Sequence, residues 1–154
     1  MRICVLLGLL IICSCSKEEV TLYKAILVNN SGHKIVIQPF FAGVNPSERT
    51  ITLLSNQNFE IASGSDRGFG NQGFSSSYFG GPNDSVIVTF DDLYSITHYF
   101  NTPSVLAARH YLFSNDRNIG KPASYALQTN RLSKYQQENI FTYTFTEQDY
   151  LDAK

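Results

Sequence analysis

The residues of this chain that are best suited to acid–base chemistry are two adjacent aspartates, Asp91 and Asp92. They come where a pattern of alternating apolar and polar residues ends, and paired carboxylates can serve acid–base catalysis or bind calcium. Neighbouring residues of a strand point to opposite faces, so the pair can act as a catalytic dyad only if a turn rotates the two side chains. A turn-capping role, in which the Asp92 carboxylate bonds its own backbone, is the simpler interpretation.

Three histidines accompany the aspartates: His33, His98 and His110. His98 falls on the apolar side of its segment, which favours a hydrogen-bonded core or edge residue. The chain has no HExxH zinc motif and no GxSxG nucleophile motif, although a triad assembled from distant positions leaves no mark in a single sequence. We therefore predict no metal ion, no cofactor and a non-enzymatic function. The alternative is a small hydrolase that uses Asp91, Asp92 and one histidine.

A glycine-rich segment, residues 64–81, is the most unusual stretch of the chain. It contains six of the ten glycines, and aromatic residues stand among its Ser, Asn and Gln residues. Aromatic faces flanked by amide and hydroxyl groups suit sugars and peptides, so this loop is predicted to bind a ligand through Phe69, Phe74, Tyr78 and Phe79. Alternatively, the rings fold back to cover a sheet. No Gly-Lys-Ser/Thr ending is present, which argues against a phosphate-binding loop.

Composition and charge describe a globular domain. Of the 154 residues, 43% are hydrophobic and 16% are charged, and the length suggests one domain. The formal net charge is −1 and no basic run occurs, so the electrostatic signature of nucleic-acid binding is missing. All three cysteines, Cys4, Cys13 and Cys15, lie in the first fifteen residues, so the remainder of the chain has neither a disulfide nor a thiol nucleophile.

The N-terminus has the features of a secretory leader. Arg2 is followed by an uncharged apolar stretch, Ile3 to Cys13. It is shorter than the roughly 20 helical residues that cross a bilayer, but it suits the apolar region of a signal peptide. We predict a leader over residues 1–14, a tether over 15–21 and a single β-rich domain over 22–154.

The end of the leader, Ile12-Cys13-Ser14-Cys15, resembles the lipobox of bacterial lipoproteins, in which an aliphatic residue and two small residues precede the cysteine. Cys13 is a small departure from the usual alanine or serine. The resemblance implies that Cys15 is thioether-linked to diacylglycerol, that the leader is cut before it, and that fatty acyl chains such as palmitate hold the protein on a membrane. Several acyl chains give durable attachment where one does not.

The residues after the cysteine, Ser16-Lys17-Glu18-Glu19, are similar to the export signal of surface lipoproteins in Bacteroidota. This resemblance implies the outer leaflet of the outer membrane, facing the medium; an ordinary charged tether is the alternative. The mature chain as a whole resembles the small β-rich surface lipoproteins of Bacteroidota, which carry no established activity or site residues to transfer.

Beyond the leader, the patterning is that of β-structure. Two apolar runs, Leu22 to Val28 and His33 to Phe41, are separated by a turn cluster and predict a hairpin. Alternation of apolar and polar residues predicts half-buried strands over Ser85 to Asp91, over Tyr94 to Phe100 and around Phe141 to Thr146.

Helix is scarce in the sequence. One or two turns are predicted within Pro103 to His110, and Thr146 to Asp149 is suited to capping a terminal turn. The fold expected is therefore all-β, an antiparallel β-sandwich or a partly open barrel with one or two short helical turns.

These expectations combine into a cell-envelope lipoprotein that acts as a non-enzymatic binding or accessory module. Loops of the sandwich are expected to bind a glycan, a peptide or an envelope protein, and the acyl chains on Cys15 to bind the membrane. The competing functional class is the small hydrolase, here located in the envelope.

Overall fold

A computed structural model describes residues 18–69, 79 and 84–154 of the chain. The predicted leader and Cys15 lie outside the described residues. Within these residues there are two β-sheets, one short α-helix and two 3-10 turns. The strands and the α-helix follow in the order β1 (Val20–Asn29), β2 (Ile35–Phe40), β3 (Ile51–Leu53), β4 (Asn58–Arg67), β5 (Ser85–Phe90), β6 (Tyr94–Tyr99), β7 (His110–Tyr111), β8 (Ala126–Ser133), β9 (Gln136–Phe145) and α1 (Glu147–Ala153). No helix within the described residues is both long enough and apolar enough to span a bilayer.

The sheets are mixed rather than antiparallel throughout. The first sheet has the strand order β4-β1-β9-β8 and the second has the order β3-β2-β5-β6-β7. β1 runs parallel to β9 and β6 runs parallel to β7, while the other pairs are antiparallel. The all-β sandwich-like fold is thus confirmed, and the described strands do not close into a barrel.

The predicted hairpin between the first two apolar runs is wrong, because β1 and β2 belong to different sheets. Asn29, at the end of β1, is fully buried and directs the change of sheet. Its side-chain nitrogen donates to the carbonyl oxygens of His33 (2.8 Å) and Leu53 (3.1 Å), and its side-chain oxygen accepts from the Ser31 hydroxyl (2.7 Å). These bonds hold the second sheet against the end of the first, so no turn of a two-stranded ladder forms.

The core lies between the sheets and follows the period-two pattern of the sequence. In β9, Phe141, Tyr143 and Phe145 are buried and alternate with partly exposed threonines. Val88 and Phe90 of β5 face them from the second sheet and are fully buried. Each fully buried side chain of this size stabilises the fold by roughly 1.5–3 kcal/mol, so the alternation alone determines which face of each strand points inward.

The two helical predictions have opposite outcomes. The terminal one is confirmed: Thr146 caps α1, and Asp149 completes a capping box by accepting from the Thr146 backbone N–H at 2.7 Å. The one within Pro103 to His110 is wrong. There the N–H of Ala107 donates to the Tyr99 hydroxyl (3.1 Å) and its carbonyl oxygen accepts from His110 Nδ1 (2.8 Å), so side chains take the place of helical bonds.

Other features also differ from the sequence expectations. β4 continues to Arg67, so the predicted loop over 64–81 begins inside a strand. β1 begins at Val20, so Val20 and Thr21 belong to the sheet rather than to the tether. β8 was not predicted at all, because seven of its eight residues are exposed and its sequence lacks the alternation of a half-buried strand.

Candidate functional site

The turn between β5 and β6 rotates the two aspartates out of the strand. Asp91 (φ 51°) and Asp92 (φ 60°) are both in the left-handed region, and the N–H of Leu93 closes the turn on the Phe90 carbonyl oxygen at 2.9 Å. Aspartate tolerates this conformation better than most residues. The turn therefore rotates the two side chains, as the hydrolase alternative requires. It also places the Asp91 carboxylate next to His33.

His33 lies between two carboxylates from distant parts of the chain. Its Nδ1 is 2.5 Å from Asp91 Oδ2, and its Nε2 is 3.4 Å from Glu147 at the start of α1. The hydrogen bond to Asp91 raises the pKa of His33 above its usual 6.5, against a smaller opposing effect of burial. The same bond lowers the pKa of Asp91. When His33 is protonated, both of its ring nitrogens can donate to these carboxylates.

This geometry fits an ion bridge better than a catalytic centre. A general base needs a ring nitrogen that is free to accept a proton from a nucleophile or a water molecule. Within the described part of the chain, carboxylates hold both nitrogens of His33. Asp92 does not cap the turn as expected but binds Lys34 Nζ at 2.5 Å. The aspartates and the histidine thus converge, yet they fasten the β5–β6 turn and α1 to the segment before β2.

His98 is a core residue, as its position in the sequence indicated. It is 1% exposed, and its Nδ1 accepts from the Ile119 N–H at 3.0 Å. Burial lowers its pKa to about 3, so the ring is neutral at ordinary pH with its hydrogen on Nε2. Among the described residues, Nε2 has no hydrogen-bond partner. Its ring packs edge-on against Tyr111, which makes it part of the interior.

Another ion pair, with a buried carboxylate, joins α1 to the loop before β8. Asp149 accepts from Arg117 Nε at 3.0 Å and from a terminal guanidinium nitrogen, which also donates to the Thr144 carbonyl oxygen at 2.8 Å. The Asp149 side chain is 3% exposed, and the guanidinium lies over the Tyr143 ring. This group has a structural role, since it locks the C-terminal helix onto the end of the sandwich.

The four predicted aromatic ligand residues separate into two groups. Phe74 and Tyr78 lie outside the described residues. Phe79 is fully buried and belongs to the core cluster, so its ring is not available to a ligand at the surface. Phe69 is half-buried, and the Arg131 guanidinium covers its ring at 4.0 Å from the centroid. For Phe69 and Phe79, therefore, the described arrangement favours the alternative in which rings fold back onto the protein.

A cleft that the sequence gave no sign of opens between β7 and α1. Its volume is about 380 Å³, and the residues that line it include Ile96, Arg109, His110, Tyr111, Leu151 and Asp152. We refer to it as the β7–α1 cleft. The nearest sequence signal is His110, which stands between Arg109 and Tyr111 and has no other histidine close to it in the chain.

Among the described strands, none pairs with the outer side of β8, the last strand of the first sheet. β8 pairs with β9 on one side and is the last strand in the order β4-β1-β9-β8. It carries one charge, Arg131, and no proline, and Leu127 and Leu132 are 40% and 50% exposed. Proteins usually protect such edges with prolines, inward-pointing charges or a covering segment.

Among the residues that the structure describes, no group of three or more histidine, cysteine or acidic side chains is placed to hold a metal ion. Comparison with known proteins gives no relative: no family model, no curated protein and no solved structure matches the chain.

Proposed function

We propose that this chain is a lipid-anchored binding module of a bacterial cell envelope, attached through Cys15 and located on the outer membrane. It is non-enzymatic, and its ligand is an extended segment of a partner envelope protein that adds to the first sheet beside β8. The open β8 edge is the observation that carries this proposal. An added strand forms main-chain hydrogen bonds with the unpaired edge, and alternate side chains provide specificity.

The position of β1 supports display at a membrane. Val20 follows Cys15 by five residues, which reach at most about 17 Å when extended. β1 and β9 are parallel and start together, with Val20 opposite Gln136, and they end together at Asn29 and Phe145. The strands therefore run away from the tether, and α1 is at the far end. The β8 edge runs along the side of the first sheet, between the end near the tether and the end where α1 lies.

The chemistry of β8 supports a protein strand as the occupant. Its sequence Ala-Leu-Gln-Thr-Asn-Arg-Leu-Ser has a single charge, so it lacks the electrostatic repulsion that protects many edges. The two exposed leucines offer apolar anchors near its two ends, at Leu127 and Leu132. Between them, Gln128 and Asn130 bond each other at 3.0 Å and present amides to solvent.

The other two functions considered from the sequence have less support. The hydrolase alternative needs a reactive histidine, whereas His33 is held by two carboxylates. A glycan site in the aromatic segment loses two of its four rings, because Phe79 is in the core and Phe69 is covered by Arg131. The glycan prediction now depends on Phe74 and Tyr78.

Site-specific photocrosslinking in the cells that make the protein tests the strand-addition proposal. A photoreactive residue at Gln128 is expected to give one discrete crosslinked product, and the same residue at Asn56, in the turn before β4, is expected to give none. Leu132→Lys places a charge on the edge and should abolish the Gln128 product. Leu54→Lys is the matched control, since Leu54 is 53% exposed but lies away from β8.

Three results would contradict the proposal. Equal crosslinking from Gln128 and Asn56 would indicate random collisions. A Gln128 product that survives Leu132→Lys would show that the edge is not the binding surface. A product of twice the chain's own mass would identify a second copy of this chain, and not a separate partner, as the occupant.

A further inference from the structure

The β7–α1 cleft combines an unpaired cation with one well-exposed apolar side chain. Arg109 is exposed and makes no ion pair or side-chain hydrogen bond within the described part of the chain. Its backbone is fixed, because its carbonyl oxygen accepts from the Thr97 N–H at 3.1 Å. Ile96 is buried and Leu151 is 54% exposed, and both line the same cleft. A guanidinium beside an exposed apolar side chain is suited to a carboxylate carried on an apolar group.

The acidic residue of the cleft is already engaged by protein donors. Asp152 Oδ2 accepts from the Tyr111 hydroxyl at 2.5 Å, and Oδ1 accepts from Gln148 Nε2 at 2.7 Å. Burial and this bond hold the pKa of Tyr111 far above its usual 10, so the phenol remains a donor. Asp152 makes no ion pair with Arg109 among the described contacts, and the guanidinium is left for a ligand.

His110 adds an oriented polar group to the cleft. Its Nδ1 lies 2.8 Å from the Ala107 carbonyl oxygen, which can only accept, so Nδ1 carries a hydrogen. The bond fixes the ring and leaves Nε2 for a second partner. His110 also belongs to β7, the last strand of the second sheet, whose outer side is unpaired among the described strands.

We propose that the β7–α1 cleft binds the C-terminus of a peptide whose last residue is apolar. The terminal carboxylate pairs with Arg109, the last side chain packs against Leu151, and the preceding backbone extends along the side of β7 that no described strand pairs with. A cleft of about 380 Å³ accommodates one or two residues of such a peptide. This site is on the other sheet from the β8 edge and is independent of the strand-addition proposal.

Fluorescence anisotropy with the full chain, purified in detergent, tests this inference. The probe is an N-terminally labelled peptide, Gly-Ser-Ala-Leu, with a free C-terminal carboxylate, and the comparison peptide is its C-terminal amide. The amide should bind about tenfold more weakly or worse, because a charge-assisted pair is lost. Arg109→Gln should weaken the carboxylate peptide by a similar factor and leave the amide unchanged.

Matched variants separate this site from general charge effects and from the β8 edge. Arg67→Gln removes an arginine that is 87% exposed on the first sheet, and it should not change binding. Leu132→Lys, which blocks the β8 edge, should also leave peptide binding intact. Equal affinity for the carboxylate peptide and its amide would overturn the proposal, as would an equal loss of affinity in Arg67→Gln and Arg109→Gln. Stronger binding of glucuronate, a sugar carboxylate without an apolar side chain, than of the peptide would also overturn it.

Discussion

The imidazole of His33 lies flat against the ring of Tyr150, with the ring centroids 3.6 Å apart and the planes inclined by 13°. The contact joins the segment between the two sheets to the C-terminal helix, and the carboxylates of Asp91 and Glu147 flank the imidazole on either side. Three distant parts of the chain thus meet on one titratable side chain. The free energy of unfolding should therefore depend on pH through the protonation of His33.

We expect His33 to stabilise the domain most at acidic to neutral pH. Its pKa is raised in the folded state, so its contribution is complete below about 6.5 and is lost as the pH rises through the raised value. The pKa of Asp91 is lowered, so its contribution is present above 3.8 and is lost as the pH falls through the lowered value. His33→Gln should remove the decline above pH 6.5 in melting temperature measured by circular dichroism. A wild-type decline that persists unchanged in His33→Gln, with His110→Gln as the control, would assign it to another group.

The protonation of His98 should destabilise the domain as the pH falls, and it should do so at lower pH than the effect of His33. It is neutral when folded down to a pH of about 3, whereas the unfolded chain takes up a proton below 6.5. Between these values stability should fall as the pH falls, by on the order of 1 kcal/mol per pH unit. His98→Asn keeps an acceptor for the Ile119 N–H, and urea denaturation at pH 4 and pH 7 should show a smaller difference for it than for the wild type. An equal difference in both proteins would refute the assignment.

Asp149→Ala should destabilise the domain by about 3 kcal/mol. It leaves the guanidinium of Arg117 without its buried carboxylate and removes the capping box of α1, although the partial exposure of Arg117 reduces the loss. Asp116→Ala is a close control, because Asp116 precedes Arg117 and pairs with Lys121 but is 93% exposed. Urea unfolding should separate the two variants clearly. Similar stabilities would show that the Asp149 pair contributes nothing of note.

Gly120 should not tolerate a side chain. A Cβ atom built there would lie 2.0 Å from Cε1 of Phe100, so the ring would have to move. We expect Gly120→Ala to lower the free energy of unfolding by about 1–3 kcal/mol. Gly32→Ala, where a Cβ meets nothing within 4 Å, should have little effect. Thermal denaturation of both variants checks the pair, and a stable Gly120→Ala protein would mean that Phe100 has room to move.

Cys15→Ala should release the protein from membranes. The residue is the predicted acceptor of the lipid, and no other cysteine follows it in the chain. Membrane fractionation and the mass of the mature protein measure the effect, and Cys13→Ala, which fits the lipobox equally well, should remain attached. Membrane retention of Cys15→Ala with an unchanged mass would remove the basis of the anchoring proposal.

Much of the fold was accessible from local patterns. Alternation with a period of two predicted β5, β6 and β9. In β5 and β9 every second residue is buried, as in a half-buried strand, whereas β6 buries three consecutive residues, Ile96 to His98. The capping box at Thr146 predicted the terminal helix, since both of its partners lie within one turn. The exposed strand β8 lacks this alternation, so no local pattern in the sequence predicted it.

The candidate sites were less accessible, because their members are far apart in the chain. Asp91 and His33 were each singled out, but their pairing depends on a left-handed turn and on the crossing of the chain between sheets at Asn29. Arg109 and Leu151 share a cleft only because α1 folds back over β6 and β7. The change of sheet after β1 also escaped prediction, since a turn cluster between two apolar runs suits a hairpin equally well.

By itself, then, the sequence determined properties that neighbouring residues create: strands from alternation, a helix from its cap, and a resemblance to lipoproteins from the residues up to Cys15. Tertiary structure alone decided which strands are neighbours, which edge is left open, and which charges meet. The physical reason is that pairing and packing depend on groups brought together from distant positions. A single sequence records the identities of those groups but not the distances between them.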